Sequence, residues 1–112
     1  MRCVRALVFW PLSTFLAGCA GALVEGESQF DGGQYPAAKE TFAGLEGERA
    51  AWGPSRQARY ALLRGLTHEA LGDRMRASEW LREAKAIEDG HPGSLSPLDV
   101  RRLRLGLDGL DE

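Results

Sequence analysis

The chain carries the segment "GDRMRASEWLREA" at residues 72–84 and a matching segment, "GQYPAAKETFAGL", at residues 33–45. Each segment begins with a glycine. A small residue, a large apolar residue and another small or apolar residue come after it at the same spacings in both. The shared positions are Gly72, Ala77, Leu81 and Ala84 in the first, and Gly33, Ala38, Phe42 and Leu45 in the second. On a helix entered from a glycine turn, these spacings place the last three positions on one face. The alanine then allows a neighbouring helix to approach closely.

Turn-forming residues divide most of the chain into five predicted helices. The segments between the turns are rich in Ala, Leu, Glu and Arg, which are good helix formers. No stretch alternates apolar and polar residues with a bias to β-branched side chains, so the sequence predicts no strands. The first four helices are expected at about Ala20 to Phe30, Tyr35 to Leu45, Ser55 to Leu71 and Arg74 to Glu88. A fifth helix is expected to begin at Ser96-Pro97-Leu98-Asp99. The expected fold class is all-α.

The helix pairs resemble the tetratricopeptide repeat. Gly26 lies seven residues before Gly33, and Gly65 lies seven before Gly72, so each predicted hairpin begins and turns on a glycine. The two copies are 39 residues apart, whereas the standard repeat is about 34 residues long. The extra residues fit the loop from Gly47 to Ser55. The resemblance covers residues 19–89 and implies a short α-solenoid of two helix hairpins.

The copies depart from the repeat pattern at two positions of the third helix. Arg64 stands where the family prefers leucine, and His68 where it prefers tyrosine. Residues 90–112 are expected to form a loop, a capping helix and an acidic tail. The capping helix carries an apolar stripe suited to cover the fourth helix, formed by Val100, Leu103, Leu107 and Leu110.

The first residues read as an export signal. Arg2 and Arg5 precede an uncharged run that ends in Leu16-Ala17-Gly18-Cys19, and the run is too short for a membrane span. This ending resembles the lipobox of bacterial lipoproteins. The resemblance implies that residues 1–18 are a cleaved signal peptide and that Cys19 is acylated at the start of a 94-residue mature chain.

Charge and anchoring predict where the mature protein resides. Loss of Arg2 and Arg5 changes the formal charge from −2 to −4, which argues against a nucleic-acid partner. Two or three acyl chains on Cys19 suffice for a stable membrane anchor. Ala20 follows the cysteine in place of the aspartate that retains many lipoproteins in the inner membrane. We therefore expect a lipid-anchored protein of the bacterial envelope, on the periplasmic face of the outer membrane.

The sequence contains no pattern typical of catalysis. The mature chain has two histidines, His68 at a packing position and His91 in a Gly/Pro turn, and they share no metal-ligand spacing. Phosphate-binding glycine loops and nucleophile elbows are absent from the sequence. We expect no enzyme activity, metal or cofactor. Trp52, in the long loop, is either a plug between the repeats or an exposed anchor for a partner.

The repeat family lines its concave surface with the first helix of each hairpin. Carried onto this chain, the resemblance implies a protein-binding or peptide-binding groove formed by Leu23, Glu27 and Phe30 beside Arg59, Leu62, Leu66 and Glu69. The expected function is an envelope adaptor, as in outer-membrane, pilus, secretion or motility assembly. The alternative is a structural or regulatory lipoprotein subunit of an envelope complex without a peptide-binding groove.

Overall fold

The structure is a computed structural model that describes the backbone of residues 10–111 and the side chains of residues 21–111. Over this range the chain is helical, without strands, which confirms the all-α prediction. Five α-helices and one 3₁₀ helix follow in order: α1 (Trp10–Asp31), α2 (Tyr35–Ala43), the 3₁₀ helix (Glu46–Ala51), α3 (Pro54–Ala70), α4 (Arg74–Gly90) and α5 (Pro97–Leu110).

The predicted signal peptide, residues 1–18, and the side chain of Cys19 lie outside the part whose side chains are described. The backbone of α1 begins at Trp10, not at Ala20, so the helix continues through the predicted cleavage position before Cys19. Among the helices of residues 10–111, none combines the length and apolar character needed to cross a membrane.

Other helix boundaries differ from the prediction by one or two residues, and the fourth helix, for example, ends at Gly90 instead of Glu88. The second helix ends at Ala43, and the predicted loop after it contains the 3₁₀ helix. The third helix begins at Pro54 with Gly53 as its N-cap, one residue before the predicted start at Ser55. The start of α5 is as predicted, because the Ser96 hydroxyl accepts the N–H of Asp99 at 3.1 Å.

The two hairpins turn in the same way. Gly33 and Gly72 adopt positive φ angles of 78° and 85°, which glycine reaches without steric cost. The N–H of the next residue then bonds back across the turn, from Gln34 to the Gln29 carbonyl at 2.8 Å and from Asp73 to the His68 carbonyl at 2.9 Å. Because these bonds satisfy carbonyls at the helix ends, each pair of helices reverses within a few residues.

Helix α3 lies at the centre and contributes to two cores. The first core joins α3 to the α1–α2 hairpin through Ala38, Phe42, Leu45, Tyr60 and Leu63. The second joins α3 to α4 and α5 through Ala58, Ala61, Leu62, Leu81, Ala84, Leu95 and Leu103. Three positions of the predicted stripe on α5, Val100, Leu107 and Leu110, pack against the second core, and the fourth, Leu103, belongs to it.

Aromatic rings fill the space between the hairpins. Tyr60 makes edge-to-face contacts with Phe42, Trp52 and Trp80, with ring centroids 5.3 to 6.1 Å apart. The Tyr60 hydroxyl donates to the Phe42 carbonyl at 2.6 Å, so this buried ring has its polar group satisfied. Of the two roles considered for Trp52, the structure shows the plug, since its ring is half-buried against the first core.

Arg64 acquires a specific environment at the position where leucine was expected. Its Nη1 donates to Glu46 Oε1 at 2.6 Å and to the Tyr60 hydroxyl at 2.8 Å. Its guanidinium carbon lies 4.5 Å from the centroid of the Trp80 ring. Arg64 therefore connects α3 to the 3₁₀ helix and to α4, which a leucine could not do.

Candidate protein-binding groove

One face of the molecule is formed by α1, α3 and α5, which run in the same direction. Leu23 of α1, Ser55 at the start of α3 and Ser96 at the start of α5 line one cleft, which we call the N-terminal cleft. Residues further along the same helices, Phe30, Leu66 and Leu105, line a second cleft. The two clefts share Arg102 and together form a groove along α3, between α1 and α5. We call this the α1/α5 groove.

The N-terminal cleft of the groove is the larger, with a volume of about 630 Å³. Leu23 and Val24 contribute from α1, and Leu95 and Leu98 from the α5 side. Val24 and Leu98 remain 66% and 61% exposed, so large apolar side chains face solvent on both rims of this cleft.

The C-terminal cleft is smaller, at about 320 Å³, and apolar side chains form most of it. Phe30 lies on the α1 side, Leu66 on α3 and Leu105 on α5. Leu105 is 63% exposed, so it also presents apolar surface to solvent at the rim.

Two ion pairs line the N-terminal cleft, and one of their residues, Arg102, also lines the C-terminal cleft; we call these two pairs the ionic belt. Arg59 bonds to Glu27 across the α1–α3 contact, and Arg102 Nη1 bonds to Asp99 Oδ1 at 3.0 Å on α5. The bond to Glu27 raises the pKa of Arg59 above its ordinary value. Arg59 and Arg102 each have an anionic partner, whereas Arg56, which also lines this cleft, forms no ion pair within the described residues.

Arg102 also reaches across the groove. Its guanidinium carbon lies 5.8 Å from the centroid of the Phe30 ring, so α5 touches α1 at this point. The contact narrows the groove between its two apolar ends. A partner must pass over Arg102 or displace it to occupy both clefts.

Glu69 lies at the C-terminal end of the groove beside two glycines of α5. A Cβ at Gly106 or Gly109 would come within 3.5 or 3.2 Å of the Glu69 carboxylate oxygens. Burial raises the pKa of Glu69, and the positive charge of Arg74 opposes that shift. The glycines of α5 thus leave room for a partly buried carboxyl group at this end.

The structure brings six of the seven predicted groove residues to this face. Leu23, Glu27 and Arg59 line the N-terminal cleft, and Phe30, Leu66 and Glu69 line the C-terminal cleft. The prediction for Leu62 was wrong, since this side chain has no exposed surface. Leu62 belongs to the second core with Leu95 and Leu103.

Sequence reasoning missed the contribution of α5 to the groove. Leu98, Arg102 and Leu105 are spaced four and three residues apart, the signal of one helical face. The sequence analysis predicted only that α5 covers α4, because it considered only the apolar stripe formed by Val100, Leu103, Leu107 and Leu110. In the structure α5 does both, because its two stripes lie on different sides of the helix.

The α1/α5 groove presents apolar contact surface and ion pairs. Within residues 21–111, no group of three or more His, Cys, Asp and Glu side chains is placed to hold a metal ion. His68 is buried on α3, its Nδ1 3.9 Å from Asp73 Oδ2, and its burial lowers its pKa. His91 lies exposed in the turn between α4 and α5.

Comparisons of the chain with protein-family models, with curated proteins and with solved structures found no match.

Proposed function

We propose that this protein is a lipid-anchored adaptor of the bacterial envelope that binds another protein or a peptide in the α1/α5 groove. The observation that carries the proposal is the location of exposed apolar residues. Of the five large apolar side chains exposed on residues 21–111, three lie along this groove, namely Val24, Leu98 and Leu105. Apolar side chains grouped along one concavity are typical of interaction sites.

The two apolar ends and the ionic belt would contribute differently to binding. Covering apolar side chains supplies affinity at about 25 cal/mol for each Å² removed from water, before the cost of association. The belt formed by Glu27–Arg59 and Asp99–Arg102 would contribute register more than affinity, because its charges already have partners.

The anchor follows from the lipobox resemblance and fixes the position of the groove. Cys19 and Leu23 are four residues apart on one continuous helix, which corresponds to about 6 Å along the helix axis. No flexible linker separates them, so an acylated Cys19 would hold the N-terminal cleft close to the lipid headgroups. The partner in this proposal is therefore a protein at the inner surface of the outer membrane.

A double substitution tests the groove. Leu98→Asp with Leu105→Asp places two charges on the apolar rim without disturbing either core, so the helical circular dichroism should persist. We expect the variant to lose an envelope partner that the wild type recovers by pull-down. Met75→Asp is the matched control, because Met75 is 75% exposed on α4 and lines neither cleft. A folded double variant that keeps every partner would contradict the groove.

A second substitution tests the anchor. Cys19→Ser removes the thiol to which the lipid would attach. The wild type should incorporate a fatty-acid analogue and partition with membranes, and the variant should do neither and should accumulate as uncleaved precursor. An unlabelled wild type in the aqueous fraction would contradict the anchor and leave the groove untouched.

The second candidate function is a structural or regulatory lipoprotein subunit without a peptide-binding groove. The Arg102–Phe30 contact favours it, because that contact closes the middle of the groove from within the chain. Under this alternative the fixed partner contacts a convex or terminal surface. The pull-down with the groove variant separates the two candidates, since only the adaptor requires Leu98 and Leu105.

A further inference from the structure

Two charges of the α1/α5 groove have no ionic partner within the described residues. Six charged residues line its clefts, and four of them form the ionic belt, namely Glu27, Arg59, Asp99 and Arg102. The other two are Arg56 in the N-terminal cleft and Glu69 in the C-terminal cleft, and neither forms an ion pair within residues 21–111. The groove therefore carries an unpaired cation at one end and an unpaired carboxylate at the other.

Other contacts leave both charges in place. The guanidinium carbon of Arg56 lies 5.7 Å from the centroid of the Trp52 ring, which orients the cation without neutralising it. Arg74 is the cation whose charge acts on Glu69, but it forms no ion pair with that carboxylate, and its Nη2 donates to the Leu110 carbonyl at 2.6 Å. Both Arg56 and Glu69 are thus available to a charged group of a partner.

The spacing of the two charges sets a requirement for any segment that occupies both clefts. Arg56 and Glu69 are 13 residues apart on α3, which corresponds to about 20 Å along the helix axis. Each charge shares its cleft with an exposed leucine of α5, Arg56 with Leu98 and Glu69 with Leu105. A matching segment therefore presents an anion and a cation about 20 Å apart, with apolar side chains on the same face.

The walls of the groove favour a helix over an extended chain. Except at residues 94–96, they are formed by α1, α3 and α5, whose interior backbone groups are bonded within each helix. An extended segment buried there would leave its own N–H and C=O groups without backbone partners, which is costly. An α-helix satisfies these groups internally.

We propose that the segment bound in the α1/α5 groove is an amphipathic helix of another envelope protein, with a carboxylate at Arg56 and a cationic side chain at Glu69. In a helix that lies along α3, these two residues are about 13 positions apart. Apolar residues of the same face cover Leu98 and Leu105, and a small residue faces Arg102, which narrows the groove. This inference rests on the proposed adaptor function and specifies the chemistry of its partner.

Photo-crosslinking of the full-length protein in its own envelope tests both charges. A benzophenone amino acid at position 105 reports on Arg56→Glu, and one at position 98 reports on Glu69→Gln, so each reporter lies in the cleft away from the substitution. We expect each substitution to reduce crosslinking of the partner by about tenfold, because each removes a charge-assisted contact. Circular dichroism checks that both variants are folded.

Arg82→Glu and Glu79→Gln are the matched controls. They make the same changes of charge at exposed residues of α4 that line neither cleft, so the crosslink should be unchanged. A wild type that crosslinks from neither position would contradict the groove itself. If the wild type crosslinks and either Arg56→Glu or Glu69→Gln matches its control, this proposal alone is overturned.

The crosslinked segment, identified by mass spectrometry and synthesised as a peptide, tests direct pairing. We expect circular dichroism to show that it is helical when bound. Replacing its carboxylate residue with lysine should weaken binding to the wild type and restore binding to Arg56→Glu. A peptide that binds in an extended form would overturn the proposal. Failure of the exchange to restore binding would do the same, since Arg56 would then act elsewhere, for example on lipid headgroups.

Discussion

Gly65 on α3 lies directly against Leu81 on α4. A Cβ on residue 65 would stand 2.7 Å from Leu81 Cγ and 3.1 Å from the Leu81 backbone nitrogen, closer than packed carbon atoms come. The first hairpin repeats the arrangement, since a Cβ on Gly26 would overlap the ring of Phe42. In both hairpins, the missing side chain on one helix makes room for the large residue of the next.

Gly65→Ala is therefore expected to destabilise the protein. Overpacking costs about 1–3 kcal/mol, and the better helix propensity of alanine returns up to about 1 kcal/mol. We expect a net loss of about 1–2 kcal/mol in the free energy of unfolding, measured by urea denaturation. Gly90→Ala is the matched control, because no atom lies within 4 Å of its Cβ position in α4. Equal stability of the two variants would contradict the close approach.

The hairpins could be predicted from the sequence because their determinants are local. Gly33 and Gly72 set the turns, and Ala38, Ala77 and the glycines set the approach of neighbouring helices. Each acts through the residues next to it or one helix away. Spacing along the chain was therefore sufficient to identify them.

The groove could be predicted only in part, because its shape depends on where α5 lies. Leu62 has the sequence spacing of a groove residue, yet it is fully buried in the second core, to which α5 contributes Leu103. Arg102 enters the groove for the same reason. Nothing in the residue type of Leu62 or Arg102 distinguishes it from nearby leucines and arginines. The angle at which a helix packs is a tertiary property that its own sequence does not specify.

Arg64 yields a second prediction. Arg64→Ala removes the bonds to Glu46 and Tyr60 and the contact with Trp80. Glu46 is half exposed, so we expect a loss of roughly 1 kcal/mol in stability rather than the full value of a buried charged bond. Trypsin should also cleave faster after Arg49, within the 3₁₀ helix. Arg82→Ala, at an exposed arginine of α4, should change neither stability nor the cleavage rate; unchanged cleavage in Arg64→Ala would show that Arg64 does not hold this segment.

His68 yields a prediction about pH. Its pKa is lowered from the ordinary value of 6.5 chiefly by burial, with Asp73 opposing the shift and Arg64 adding to it. The unfolded chain thus takes up a proton near pH 6.5, where the folded chain does not. The contribution of His68 to stability is complete above that pH and declines as the pH falls towards the folded-state pKa.

Melting temperatures between pH 5 and 7.5 measure this effect. The wild type should lose more stability on acidification than His68→Tyr, which cannot take up the proton. His91→Tyr, at an exposed turn position, should retain the wild-type pH dependence. Parallel curves for the wild type and His68→Tyr would mean that His68 is protonated equally in the folded and unfolded states.

The central claim is that the α1/α5 groove binds an envelope partner, and site-specific photo-crosslinking tests it most directly. A benzophenone amino acid would replace Leu98, Leu105 or, as the control, Met75 in the full-length protein in its own envelope. We predict one crosslinked protein, the same from positions 98 and 105 and absent from position 75. Equal crosslinking from all three positions, or none from the two groove positions, would contradict the account.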